Sequence, residues 1–136
     1  MADAILLAAR IAATGELDDE SRRWLADGIR RWWVHGGEAA RLPAFLRLPA
    51  TRGRAAIAAR DYWLRLAGEE LAAGDRAAEL RRAVIVFLRH RWHLWKALPA
   101  PPEGCSPLDG ALFFAAQSGA QMNLSRRQYC NILAGK

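Results

Sequence analysis

Apolar side chains recur at three- and four-residue intervals along most of the chain, and no stretch alternates as a half-buried strand would. The spacing predicts a first helix over Ala2–Thr14, stopped by Gly15, with Ile5, Leu6 and Ile11 on its buried side. A second helix begins after Leu17. Asp18 can accept from the first-turn amides, Asp19 and Glu20 complement the positive helix end, and Gly36-Gly37 supply a left-handed stop. Its apolar pairs Trp24/Leu25, Ile29 and Trp32/Trp33 mark one face of an amphipathic helix.

Pro43, Pro49 and Gly53 interrupt "RLPAFLRLPATRGR", which predicts a short helix followed by a basic connector. A long helix from about Arg54 to Ala73 then turns Ile57, Leu64, Ala67 and Leu71 inward. After a turn at Gly74-Asp75, Asp75 caps the longest helix, which runs to Leu98. Its line Leu80, Val84, Phe87/Leu88, Arg91/Trp92 and Trp95 suits a central element.

A Pro-rich joint over 99–105 separates this helix from a C-terminal helical hairpin over 106–135. Ser106, Pro107 and Asp109 form a helix start, with the stop at Gly119. Ser125 and Gln128 form a capping box for the last helix, Leu124 and Tyr129 its hydrophobic staple, and Gly135 follows its end. The expected fold is all-α. It is a single domain over 1–136, an orthogonal bundle of six or seven helices with a long central helix and a C-terminal helix-turn-helix-like pair.

Charge refines this picture. The 136 residues carry a net +6, distributed unevenly: residues 41–98 hold twelve basic and five acidic side chains, or +7, against −2 for residues 1–40 and +1 for the remainder. Such asymmetry points to a polyanion or an acidic partner protein, with a solvated basic face as the plain alternative. Eighteen of the twenty basic residues are Arg. Arg suits bidentate phosphate contacts, although Arg beside abundant Ala and Gly also follows from a GC-rich genome.

Two surfaces could carry such binding. On the last helix, Ser125, Arg126, Arg127, Cys130 and Asn131 face outward if Ala115 marks the helix crossing and Leu124, Tyr129 and Ile132 anchor the pair. Arg pairs with the guanine edge and Asn with adenine, and the capping Ser hydroxyl and the helix N-terminus can donate to a phosphate. Ser118, the long turn and the small number of basic residues speak for a plain packing hairpin instead. In the middle section, Arg41, Arg47, Arg52, Arg54, Arg60 and Arg65 accompany Tyr62 and Trp63, the composition of a surface that tracks a phosphate backbone. The competing account puts Trp63 in the core and the arginines in water or paired with Glu69 and Glu70. Six Trp in a chain of this size also leave room for an exposed aromatic patch at which a partner protein could dock.

Catalytic chemistry finds no purchase. Cys105 and Cys130 have no local His or acid to activate them and match no zinc spacing, and His90 and His93 lack a third ligand. No phosphate loop or dinucleotide fingerprint occurs. A non-enzymatic protein with no cofactor and no metal is expected. Asp3 stands where a secretory signal carries positive charge, and the run "AVIVFL" is too short to span a bilayer, so a cytoplasmic protein without a membrane partner is expected.

The stretches "ALPAPPEGCSPLDGALFFAAQSG" and "LSRRQYCNILAG", with "RDYWLRLAGEEL" before them, resemble a set of short Arg-rich helical proteins from GC-rich proteobacteria. The similarity spans about residues 24–135 and its motifs are mostly structural. The resemblance implies an all-helical bacterial protein from a mobile element, and brings no activity and no assigned site. Nucleic acid, DNA ahead of RNA, is the expected partner, and an acidic protein the alternative.

Overall fold

Four helices of this chain start where a short side-chain oxygen can take an amide of the first turn. In the computed structural model, Asp18 accepts from the Ser21 N–H at 2.7 Å and Asp75 from Ala78 at 3.2 Å. Ser106 accepts from Asp109 at 3.1 Å and Ser125 from Gln128 at 3.2 Å. Each oxygen satisfies a donor that the helix itself leaves orphaned. These are the four caps the sequence predicts.

The structure describes residues 4–48 and 52–135, apart from the side chains of residues 13 and 52. The expected helix start at Ala2 lies outside the described residues, as does part of the connector. The elements are α1 (Ala4–Thr14), α2 (Asp19–Val34), a 3-10 turn (Ala39–Arg41), α3 (Leu42–Phe45), α4 (Arg52–Glu69), α5 (Arg76–Phe87), a π-helical turn (Leu88–Trp92), α6 (His93–Trp95), α7 (Pro107–Gln117) and α8 (Arg126–Leu133). Among the described residues there is no strand, so the chain is all-α, and no helix is long and apolar enough to cross a membrane. Packing divides the chain into two compact units, Met1–Ala58 and Ala59–Lys136, with the boundary inside α4.

In the first unit, α2 packs on α1 and α3. The contact face of α2 centres on Ser21, Trp24 and Gly28, three and four residues apart. A Cβ on Gly28 would stand 2.5 Å from Leu46 Cδ2 and 3.2 Å from the Phe45 carbonyl oxygen, so only hydrogen lets the chain after α3 approach this closely. Trp24 Nε1 donates to the Leu46 carbonyl at 2.9 Å across the same contact. Ile29 and Trp33, expected on the buried face, are exposed instead. In α1 the buried positions are Ala4, Leu7 and Ala9. The expected Ile5, Leu6 and Ile11 are only half-buried.

The second unit has the larger core: Leu64 and Ala67 of α4, Leu80, Val84 and Phe87 of α5, Leu112 and Phe113 of α7, and Tyr129 and Ile132 of α8. α4 begins at Arg52 and closes at Glu69, two residues before and four residues short of the predicted bounds. Ile57 lies two turns ahead of Leu64 on this helix, before it meets that core, and is exposed instead of inward.

The long helix expected to run unbroken to Leu98 instead widens into the π turn and ends at Trp95. In a regular α-helix, residues five apart point about 140° away from one another. The i→i+5 bonding of a π turn brings them to one side. Trp92 thereby stands 6.3 Å from Phe87, centroid to centroid, and 5.7 Å from Phe113, while Trp95 meets the edge of Phe87 at 5.9 Å.

Replacing Gly28 with Leu should destabilise the chain by about 1–3 kcal/mol, the usual cost of overpacking a filled contact. Urea unfolding followed by Trp fluorescence measures it. A variant as stable as wild type would show that α2 and α3 do not depend on this close approach.

Candidate nucleic-acid interface

On α8 the capping box is complete: Ser125 Oγ accepts from the Gln128 amide, and Gln128 Oε1 accepts from the Ser125 amide at 2.8 Å. Buried Leu124 and Tyr129 flank it as the staple, and Ile132 is buried one turn later. Ser125, Arg126, Arg127, Cys130 and Asn131 are all exposed. The helix packs chiefly against α5. Arg126 reaches the cap of that helix, its Nη2 and Nε donating to Asp75 Oδ2 at 2.7 and 3.2 Å. The bond to Arg126, then the Ala78 amide, holds the Asp75 carboxyl below its ordinary pKa, and the same bond raises that of Arg126. Arg126 therefore ties the starts of α5 and α8 together. Arg127 and Asn131, four residues apart on one face, carry no such commitment in their position on the helix.

The arginines expected to form one middle surface fall in different surroundings. Arg41 is exposed and lies over the Phe45 ring at 5.6 Å. Arg47 is exposed at the end of α3 with φ +58°, a left-handed conformation that ends the helix. Arg54 is exposed on α4, and the side chain of Arg52 lies outside the described residues. Arg60, expected to contact phosphate, is only 9% exposed. Its guanidinium donates twice to Asp61 Oδ1, at 2.8 and 2.9 Å, and once to the Gln121 carbonyl at 2.8 Å, so its donors are engaged inside the second unit. Arg65 Nε donates to the Ile132 carbonyl at 3.1 Å, near the negative end of α8. Trp63 stacks on Phe114 at 4.7 Å and joins the edge of the core.

Sequence reasoning passed over a cluster that the first unit assembles. Arg23, Arg30 and Arg31 of α2 converge with Arg47 on a groove of about 840 Å³ that also contains Trp24. Two of these guanidiniums are held by main-chain oxygens. Arg23 Nε donates to the Asp19 carbonyl at 3.4 Å, and Arg31 donates through Nε to Asp27 at 3.3 Å and through Nη2 to Phe45 at 3.4 Å. A carbonyl orients a guanidinium without cancelling its charge. Arg30 pairs with the Asp27 carboxylate at 3.2 Å, and Glu20 is the other acid lining the groove. The signal was present in the seven- and eight-residue spacing of 23, 30 and 31, which shares one helix side. Net negative charge over residues 1–40 concealed it, because those acids sit mostly at the α2 start.

Among the described residues no three His, Cys, Asp or Glu side chains group as a metal site, and His90 and His93 are exposed. Compared with known proteins, the chain matches no family model, no curated protein and no solved structure.

The Asp75–Arg126 pair has a defined pH signature. Asp75 is depressed in the folded state, so its contribution is complete above the ordinary carboxylate value of 3.8 and is lost as pH falls through the lowered one. Arg126→Ala should be less stable than wild type in urea at pH 7, with the gap closing as the solution is acidified. A gap that is constant with pH would contradict the pair.

Proposed function

We propose that the chain binds nucleic acid without catalysis, as a small regulator or a basic subunit of a nucleoprotein complex. The arginine groove of the first unit is its phosphate-holding surface. One observation carries this: Arg23 and Arg31 are oriented by main-chain carbonyls, and with Arg47 they face one groove beside Trp24, presenting fixed positive charge next to an aromatic ring. That combination suits a phosphate backbone with a base against the ring. Arg41, Arg54 and Arg52 extend the candidate set. Arg127 and Asn131 supply the donor geometry for guanine and adenine edges, which favours DNA over RNA.

The finer architecture belongs to the same proposal. Buried Ala115, positive φ at Gly119 and the buried anchors Leu124, Tyr129 and Ile132 support a helix-turn-helix-like relation of α7 and α8, within an orthogonal bundle. The chief contact of α8 with α5 supports a plain packing role for that helix. A cytoplasmic site of action goes with this proposal.

A second function, docking of a partner protein, is favoured by one observation: Trp33 is 73% exposed, one turn after Ile29, which is 46% exposed. Large apolar side chains in a row on a helix surface are typical of binding patches.

Electrophoretic shift of duplex DNA, single-stranded DNA and RNA at several salt concentrations separates the two. With four phosphates engaged, log affinity should fall with log salt at a slope of roughly −3 to −4. The combined change Arg23→Ala, Arg31→Ala and Arg47→Ala should weaken binding at least tenfold, and Trp33→Ala should leave it unchanged. Absence of binding to all three at low salt would retire nucleic acid as the ligand.

A further inference from the structure

A second groove, of about 370 Å³, opens within the unit Ala59–Lys136, and its walls differ in kind from those of the first. Arg81, Ile85, Leu88 and Arg89 form one stripe along α5 and the start of the π turn, at the i, i+4, i+7, i+8 spacing of a single helix side. Met122 and Leu124 face them from the segment that joins α7 to α8. This segment has no regular structure, yet it is pinned. The Tyr129 hydroxyl donates to the Met122 carbonyl at 2.6 Å, and Arg60 Nη1 donates to the Gln121 carbonyl at 2.8 Å. The groove is thus a built feature with a braced wall.

Ile85 is 42% exposed although α5 already buries Leu80, Val84 and Phe87, so its apolar surface is surplus to the core. Arg81 and Arg89 stand toward either end of the stripe, eight residues or about 12 Å apart along the helix. Among the described residues no carboxylate lines the groove. Its complement is therefore an apolar side chain set between negative charges. A nucleic acid is a poor fit here: between the two arginines the walls are mainly aliphatic, and Tyr129, the one ring among the described lining residues, is 1% exposed and offers no face for stacking.

We propose that the groove between α5 and residues 121–124 is a docking site for a short acidic segment of a partner protein. Carboxylates of that segment pair with Arg81 and Arg89, and a Leu, Met or Phe between them inserts against Ile85, Leu88 and Met122. Such docking uses the amphipathic mode of peptide recognition, with apolar anchors for affinity and charge for register.

The test uses the full chain and a phage-displayed library of random dodecapeptides. Enriched peptides should carry Asp or Glu on both sides of a bulky apolar residue. A fluorescein-labelled synthetic copy should lose at least tenfold in affinity, by anisotropy, against Arg81→Glu combined with Arg89→Glu, and against Ile85→Asp. The same peptide with Asn and Gln in place of its acids should lose as much against the unaltered chain, which gives a reading free of any effect on folding. The Arg23, Arg31 and Arg47 changes should leave peptide affinity intact, so this outcome is independent of the first groove. Failure to enrich any peptide, enrichment of peptides without acids, or an affinity insensitive to both the arginine and the peptide changes would overturn the proposal. It would equally fall if a labelled dodecanucleotide, rather than the peptide, lost binding in the Arg81/Arg89 variant.

Discussion

An arginine that donates to a main-chain carbonyl is fixed in place and keeps its charge, and this interaction recurs at three places where the chain joins one element to another. Arg31 reaches the Phe45 carbonyl at the end of α3, and Arg65 reaches Ile132 near the end of α8. Arg60 holds the Gln121 carbonyl in the segment before α8. Carbonyls at helix ends lack intrahelical partners, and a guanidinium there also meets the negative end of the helix dipole. A chain rich in Arg and poor in Lys uses its cations as structural donors first. Where such a donor is buried, as at Arg60, a neighbouring carboxylate neutralises it. Where it is exposed, as at Arg23 and Arg31, the charge remains for a ligand.

Much of the fold can be read from the sequence because its signals are local. Asp18, Asp75, Ser106 and Ser125 declare helix starts through the chemistry of a single side chain, and the Leu80, Val84, Phe87 line marks a buried face through spacing alone. Gly28 is different. Within a helix it reads as a weak position, and only the approach of the chain after α3 explains why no Cβ is present. The π turn is likewise hidden: the apolar line already runs through Phe87/Leu88 and Arg91/Trp92 at helical spacing, and nothing in that spacing signals the change of winding at Leu88–Trp92. Ile29 and Trp33 follow the apolar period of α2 and are nonetheless exposed.

The candidate sites were harder to read for a related reason. Counting charge along the sequence groups residues that the fold separates: Arg41 and Arg47 lie on one unit, Arg60 is enclosed in the other, and Arg126 is tied to Asp75. It also splits residues that the fold unites, such as Arg23, Arg31 and Arg47. The two grooves follow from the same supply of Arg set in different frames. Beside a Trp and with carbonyl-held guanidiniums, the first has the charge and ring that the proposed phosphate contact needs. Lined by aliphatic side chains and rimmed by Arg81 and Arg89, the second is matched to an apolar residue flanked by carboxylates.

The central claim is that carbonyl-held guanidiniums in the first groove meet phosphate. The most direct measurement is the NMR spectrum of the arginine Nε–Hε groups, assigned by substitution, during titration with a twelve-nucleotide DNA strand at low salt. The Arg23, Arg31 and Arg47 signals should shift together and saturate together, while that of Arg60 stays in place. Shifts confined to other arginines, or spread evenly over all exposed ones, would contradict the claim.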